Sequence, residues 1–142
     1  MNKYEELIVS LKEVHEQMIG IMAPSEEEGI TYGQMFLLFY IHSQEKIKTT
    51  DISNHFGITP GAATAIADKL ETSGLIERIR DIKDRRIVLI SLSEKGRLYV
   101  ERKKKENINK VAEVLKELSD EEIVSASKAI QKISKTMAKQ QK

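Results

Sequence analysis

The four residues Gly57-Ile58-Thr59-Pro60 constrain this chain more than any other stretch. Glycine tolerates the left-handed conformation just past a helix end. Thr followed by Pro is the pairing of an N-cap with a first helical position, where the missing N–H costs nothing. One helix must therefore stop and another start within four residues. Upstream, TTDISNHF places Ile52 and Phe56 one turn apart, with Thr49 or Thr50 as the cap. Downstream, GAATAIADKLETSG puts Ala63, Ile66, Ala67 and Leu70 on one inward stripe, ended by Gly74. The reading is a helix-turn-helix, a geometry suited to presenting its second helix to a major groove, although other compact helical pairs share the pattern.

After Gly74 the hydrophobic period changes from 3.6 to 2. LIERIR and IVLISL are β-rich runs, with Val88, Ile90 and Leu92 alternating against Ile87, Leu89 and Ser91. The connection Asp81–Arg86 has no Gly or Pro, which excludes a tight two-residue turn. It predicts a longer loop shaped by Asp side chains bonding the backbone. Such a hairpin protrudes as a wing. Its charged tip has two readings: protection of an exposed edge against pairing with other chains, or a cationic probe for a phosphate-lined groove.

The flanks are helical. Tyr4, Leu7, Ile8, Leu11, Val14, Met18 and Ile21 predict an amphipathic first helix of about twenty residues, ended by Pro24 and Ser25. Glu26 to Gly29 reads as a solvated loop. Thr31 and Gln34 have capping-box spacing and open a second helix from about Tyr32 to Ser43. Ser93 caps a long helix through Leu118, about 24 residues or roughly 36 Å. Ser119-Asp-Glu-Glu122 is another capping box, and Ile123, Ala126, Ile130, Ile133 and Met137 form a stripe on the last helix. The expected class is mainly α (α+β), a single domain of 142 residues with a winged helix-turn-helix at 31–93 and helical dimerisation regions at 1–30 and 94–142. The apolar stripes at both chain ends exceed what a winged core of about seventy residues can cover, so a second copy is the simplest partner.

The net charge of +1 conceals a segregation. Residues 1–30 hold two Lys against seven Glu, a balance of −5, whereas residues 76–105 hold eleven Lys and Arg against five Asp and Glu, a balance of +6. The absence of Cys excludes disulfides, thiolate metal sites and thiol switching by this chain. His15, His42 and His55 are scattered without metal-ligand spacing, so no metal or cofactor is expected. There is no nucleophile with a base, no phosphate loop and no metal cluster, which argues against an enzyme. Carboxylates within MNKYEELIVSLKEVHEQ argue against a signal peptide or membrane span, so a cytoplasmic protein without membrane contact is expected. The run Lys103–Lys105 reads as an exposed helix face.

KLETSGLIER (69–78) and DRRIVLISLSEKG (84–96), in this order after a helix-turn-helix, closely resemble the MarR family of bacterial winged-helix regulators. The second run is similar to the family's wing signature: Asp-x-Arg at the tip, an apolar strand, Leu, Ser or Thr, and a nearby Gly. The resemblance covers nearly the whole chain. It implies a homodimer built from the first and last helices of both subunits, binding a pseudo-palindromic operator in double-stranded DNA, probed by a wing. It also implies a cleft between the dimer helices and the winged domain for a small aromatic or amphipathic effector, for which Met18, Met22, Phe36 and Phe39 are the candidates. By the same resemblance Arg86 enters the minor groove and Asp84 orients its guanidinium. Lys83 and Arg85 are expected at phosphates, with Thr50 and Thr59 at helix N-termini suited to a phosphate oxygen. Lys69 and Arg78 are further phosphate candidates, each equally readable as a solvated charge.

The recognition helix departs from the family's usual pattern at Ala65, where many members carry a long polar or basic side chain. Its exposed half offers Pro60, Gly61, Ala62, Thr64 and Ala65, none able to bond a base edge bidentately. The expected function is a ligand-released, sequence-specific repressor that reads an A·T-rich site largely through its wing. The competing reading is a winged-helix protein-interaction module without specific DNA binding.

Overall fold

The computed structural model describes residues 2–140 and orders them as six helices and a small sheet. Helix α1 spans Lys3–Met22, capped by the Asn2 side chain, which accepts the Tyr4 and Glu5 amides. A 3₁₀ turn at Glu26–Glu28 leads to α2, Tyr32–Gln44, whose Thr31 and Gln34 form the expected reciprocal box. Strand β1 is only Ile47–Lys48; α3 is Thr49–Phe56 and α4 Pro60–Thr72. Strands β2, Ile76–Arg80, and β3, Val88–Leu92, precede α5, Glu94–Val114, and α6, Asp120–Lys139.

The turn between α3 and α4 forms as its residues dictate. Gly57 is left-handed at φ 64°, and the Thr59 hydroxyl accepts the Ala62 amide at 3.1 Å. Ala63, Ala67 and Leu70 are buried under α4. They join Met35, Leu38 and Ile41 of α2, Ile52 of α3, Ile76 and Ile90 of the sheet, and Tyr99 and Val100 of α5 in one core. The small alanines let α4 approach closely, since close packing leaves no room for larger side chains there.

The antiparallel sheet has the order β1-β3-β2, with Ile90 between Ile47 and Arg78. Strand β1 is too short to show periodicity, and it changes the start of α3. Its extended backbone runs through Lys48, so Lys48 is the N-cap; its N–H donates to Asp51 Oδ2 at 2.7 Å. Thr49 and Thr50 occupy the first turn and do not cap it. The long helix also ends earlier than expected, at Val114, with residues 115–118 in a turn.

Two expected solvated segments fold on each other. Lys103 is 1% exposed, and its ammonium lies 3.3 Å from Glu28 and 3.6 Å from Glu106. Glu28 also accepts the Ser25 amide at 2.7 Å. Burial works to raise the Glu28 carboxyl; the Ser25 amide and the Lys103 ammonium outweigh it and hold it below the ordinary value. A cation buried this deeply persists only with partners, which is what folds the glutamate loop back onto α5. No helix among the described residues is long and apolar enough to cross a membrane.

Candidate nucleic-acid interface

The wing takes its shape from its own aspartates. Asp81 Oδ1 accepts the Lys83 amide at 3.2 Å and Asp84 Oδ1 the Arg86 amide at 3.1 Å, an Asx turn at each end of the tip. The hairpin is closed by the Asp81 amide donating to the Ile87 carbonyl at 2.9 Å. Arg86 then donates twice to the same carboxylate, Nε to Oδ1 and Nη2 to Oδ2, both at 3.0 Å. These bonds hold the Asp84 carboxyl below its usual range and raise the guanidinium further. The Arg86 side chain is 91% exposed. One edge of its planar fork is fixed by Asp84; the other faces solvent, with donors unused among the described residues. Such a group is preorganised for an acceptor outside the protein.

Arg80, which the sequence reading passed over, donates from Nη1 to the Arg85 carbonyl at 2.8 Å and ties β2 to the tip. Its signal lay only in register, since Arg80 pairs with Val88 at the mouth of the loop. Ile82 stands 94% exposed on the same tip, an apolar side chain with nothing beneath it. Side chains of this type in protruding ribbons suit contact with sugars or bases in a minor groove.

Along α4, Pro60, Gly61, Ala62, Thr64, Ala65 and Lys69 are exposed. The Thr64 hydroxyl donates to the Pro60 carbonyl at 3.0 Å, leaving its oxygen as an acceptor. Thr50 and Thr59 are exposed beside the first turns of their helices, and Lys83 and Arg85 flank the wing tip. Arg78 is different. Its Nη2 donates to Asp68 at 2.6 Å and Glu71 at 2.7 Å, two carboxylates on the outer face of α4. That double pairing removes it from the free cations expected at phosphates and makes it a brace between β2 and the recognition helix.

The proposed effector residues do not converge on one groove. Met22 lines a groove of about 570 Å³ with Ile108 and Val111 of α5, Leu115 just past its end and Ile123 of α6. Phe36 packs edge-on against Tyr32 at 4.7 Å and Phe39 at 5.7 Å, while Phe39 lies beneath the Lys104 ammonium. Met18 is half-buried on α1.

Residues 30–88, from the start of α2 into the second strand of the wing, match the MarR family. A Bacillus subtilis protein named HTH-type transcriptional repressor MdtR is 30% identical over 109 residues, 77% of this chain and 70% of that one. The chain belongs to the MarR family of transcriptional regulators. The Bacillus subtilis YusO crystal structure is 28% identical, covers 93% of this chain and 94% of its own, and superposes with a TM-score of 0.70. Streptococcus pneumoniae FabT, solved in complex with DNA, shares the fold at a TM-score of 0.78, covering 98% of this chain and 100% of that one at 23% identity. The MarR-like arrangement of this chain is thus a three-stranded wing unit carried between helical ends.

Proposed function

We propose that this protein is a sequence-specific DNA-binding transcriptional regulator acting as a homodimer, a repressor released from a pseudo-palindromic operator by a small-molecule effector. The observation that carries the reading is the Asp84–Arg86 pair: a guanidinium 91% exposed, clamped along one edge at two 3.0 Å bonds on the tip of the hairpin. A narrow A·T-rich minor groove concentrates negative potential and favours such a group. The assignments at Thr50, Thr59, Pro60, Gly61, Ala62, Thr64, Lys69, Lys83 and Arg85 follow from their exposure on the same winged unit. The names of the relatives and a DNA complex among the fold neighbours support the reading. Two copies would place recognition helices about 34 Å apart, one turn of DNA.

The test is operator binding measured across salt concentration. Affinity for duplex DNA should fall steeply as salt rises, because neutralised phosphates release counterions. Arg86→Ala should weaken binding by about 1–3 kcal/mol per half-site, and Lys105→Ala on the exposed face of α5 by much less. Equal effects of the two substitutions would remove the wing from the mechanism. No duplex binding even at low salt would favour the protein-interaction module.

A further inference from the structure

The tip of the wing ends in a β-turn over residues 84–87, closed by the Ile87 amide donating to the Asp84 carbonyl at 3.0 Å. Arg85 and Arg86 are its central residues, so the peptide unit between them sets the direction in which the Arg86 side chain leaves the backbone. That peptide takes no part in the closing bond, and its rotation is what separates a type I from a type II turn. Here it is held at both ends. Its N–H donates to Asp84 Oδ1 at 3.1 Å, and its carbonyl, that of Arg85, accepts from Arg80 Nη1 at 2.8 Å. Arg86 accordingly avoids the positive φ that a type II turn would impose on it; among the described non-glycine residues that conformation occurs at Glu45.

The two ends of the peptide are held from different places. The Asp84 bonds stay inside the turn and fix Arg86 relative to Asp84. Arg80 reaches in from β2, where it pairs with Val88 at the mouth of the loop. Its bond fixes the central peptide relative to the sheet, which the Asp84 bonds do not do. We infer that Arg80 is a positioning residue for Arg86: it locks the Arg85–Arg86 peptide onto β2, so that the clamped guanidinium leaves the wing in one direction before any DNA arrives. This rests on the proposed DNA-binding function and deepens it. The two arginines of β2 then have separate tasks, Arg78 bracing the strand to α4 and Arg80 bracing it to the tip. The Arg80 bond lies at the surface, where water can take over the carbonyl once the guanidinium is removed. Its loss should leave fold stability nearly untouched and fall instead on binding, as the cost of ordering a long side chain at the interface.

A double-mutant cycle on operator binding tests this. Arg80→Ala should weaken binding about tenfold and leave the melting temperature unchanged. Made on top of Arg86→Ala, the same substitution should cost less than about twofold and leave the salt dependence of affinity as it was, because the group it positions is gone. A phosphate contact made by Arg80 itself predicts an undiminished loss in both backgrounds and a salt slope lower by about one; that result would overturn the inference. So would a lowered melting temperature with equal losses in the two backgrounds, the mark of a merely structural bond. A second arm uses the free protein. Without DNA, the Arg86 amide and Nε–H should exchange with solvent faster in Arg80→Ala than in the wild type, read by NMR, and unchanged exchange would equally overturn the inference. If the wild type bound no duplex, the DNA-binding proposal would fall, whereas the exchange measurement would still decide whether Arg80 holds Arg86.

Discussion

Lys103 and Glu28 form a pair that is costly to break but need not be costly to replace. Removing the carboxylate leaves an ammonium 1% exposed with, among the described residues, Glu106 at 3.6 Å as its remaining carboxylate, so Glu28→Gln should destabilise the protein by about 2–4 kcal/mol at neutral pH. Lys103→Met fills the same space with an apolar chain and should cost less, about 0–1 kcal/mol. Urea unfolding of the two variants checks the order, and a larger loss for Lys103→Met would contradict it. The pH dependence has a definite sign. The folded Glu28 carboxyl sits below its ordinary 4.5, so its contribution is fully present above that value and is lost as pH falls through the lower folded one. The gap between wild type and Glu28→Gln should therefore narrow on acidification. Arg86, by contrast, is exposed and Asp84 half-buried, so their pairing should add little to stability.

Helix α5 meets the winged unit at a point that admits no side chain. A Cβ on Gly96 would lie 2.0 Å from the Leu75 carbonyl oxygen, while the Ser93 hydroxyl donates to Gly74 and the Lys95 ammonium to Ser73 at 3.0 Å. Gly96→Ala should cost about 2–3 kcal/mol through overpacking, read as a lower melting temperature; an unchanged melt would mean that α5 slides freely on the wing unit. Helix α4 carries a different consequence. Its exposed half has Thr64 as its single side chain with a hydroxyl acceptor, so under the proposed function base-edge contacts should be few and groove shape should carry more of the specificity. Selection from random duplexes should return an A·T-rich site, and a G·C-rich consensus would mean that α4 reads bases by a route its side chains do not offer. The brace from Arg78 to Asp68 and Glu71 ties β2 to α4, so under the proposed function helix and wing would meet DNA as one unit.

At the scale of the whole molecule, α1 and α6 bury no residue within the protomer. Tyr4 and Ile8 are 66% and 64% exposed, and Ile130 and Met137 52% and 53%. Apolar faces of this extent call for a cover, and the homodimer proposed above would supply the same faces in return. Ile130→Glu should give a monomer in sedimentation equilibrium and weaken operator binding by much more than any single phosphate contact, because two half-sites are then read independently. A dimeric Ile130→Glu protein would place the interface elsewhere.

The sequence by itself determined the order of helices, the break at Gly57–Pro60, the capping boxes at Thr31 and Ser119, the period change at Gly74 and the Asx-shaped wing. These are local: each is decided by residues within about four positions of one another, where backbone preference and side-chain reach act directly. Only the tertiary structure decided the rest. Lys103 and Glu28 lie 75 positions apart and read separately as a lysine run and a glutamate loop; their burial depends on how α5 crosses the start of α2. Arg78 carries the same charge as Arg86, yet one is held half-buried by two carboxylates of α4 and the other is clamped by one carboxylate of its own loop and stays exposed, a difference set by what α4 places opposite β2. Charge is written in the sequence, but the partner that uses it is chosen by packing.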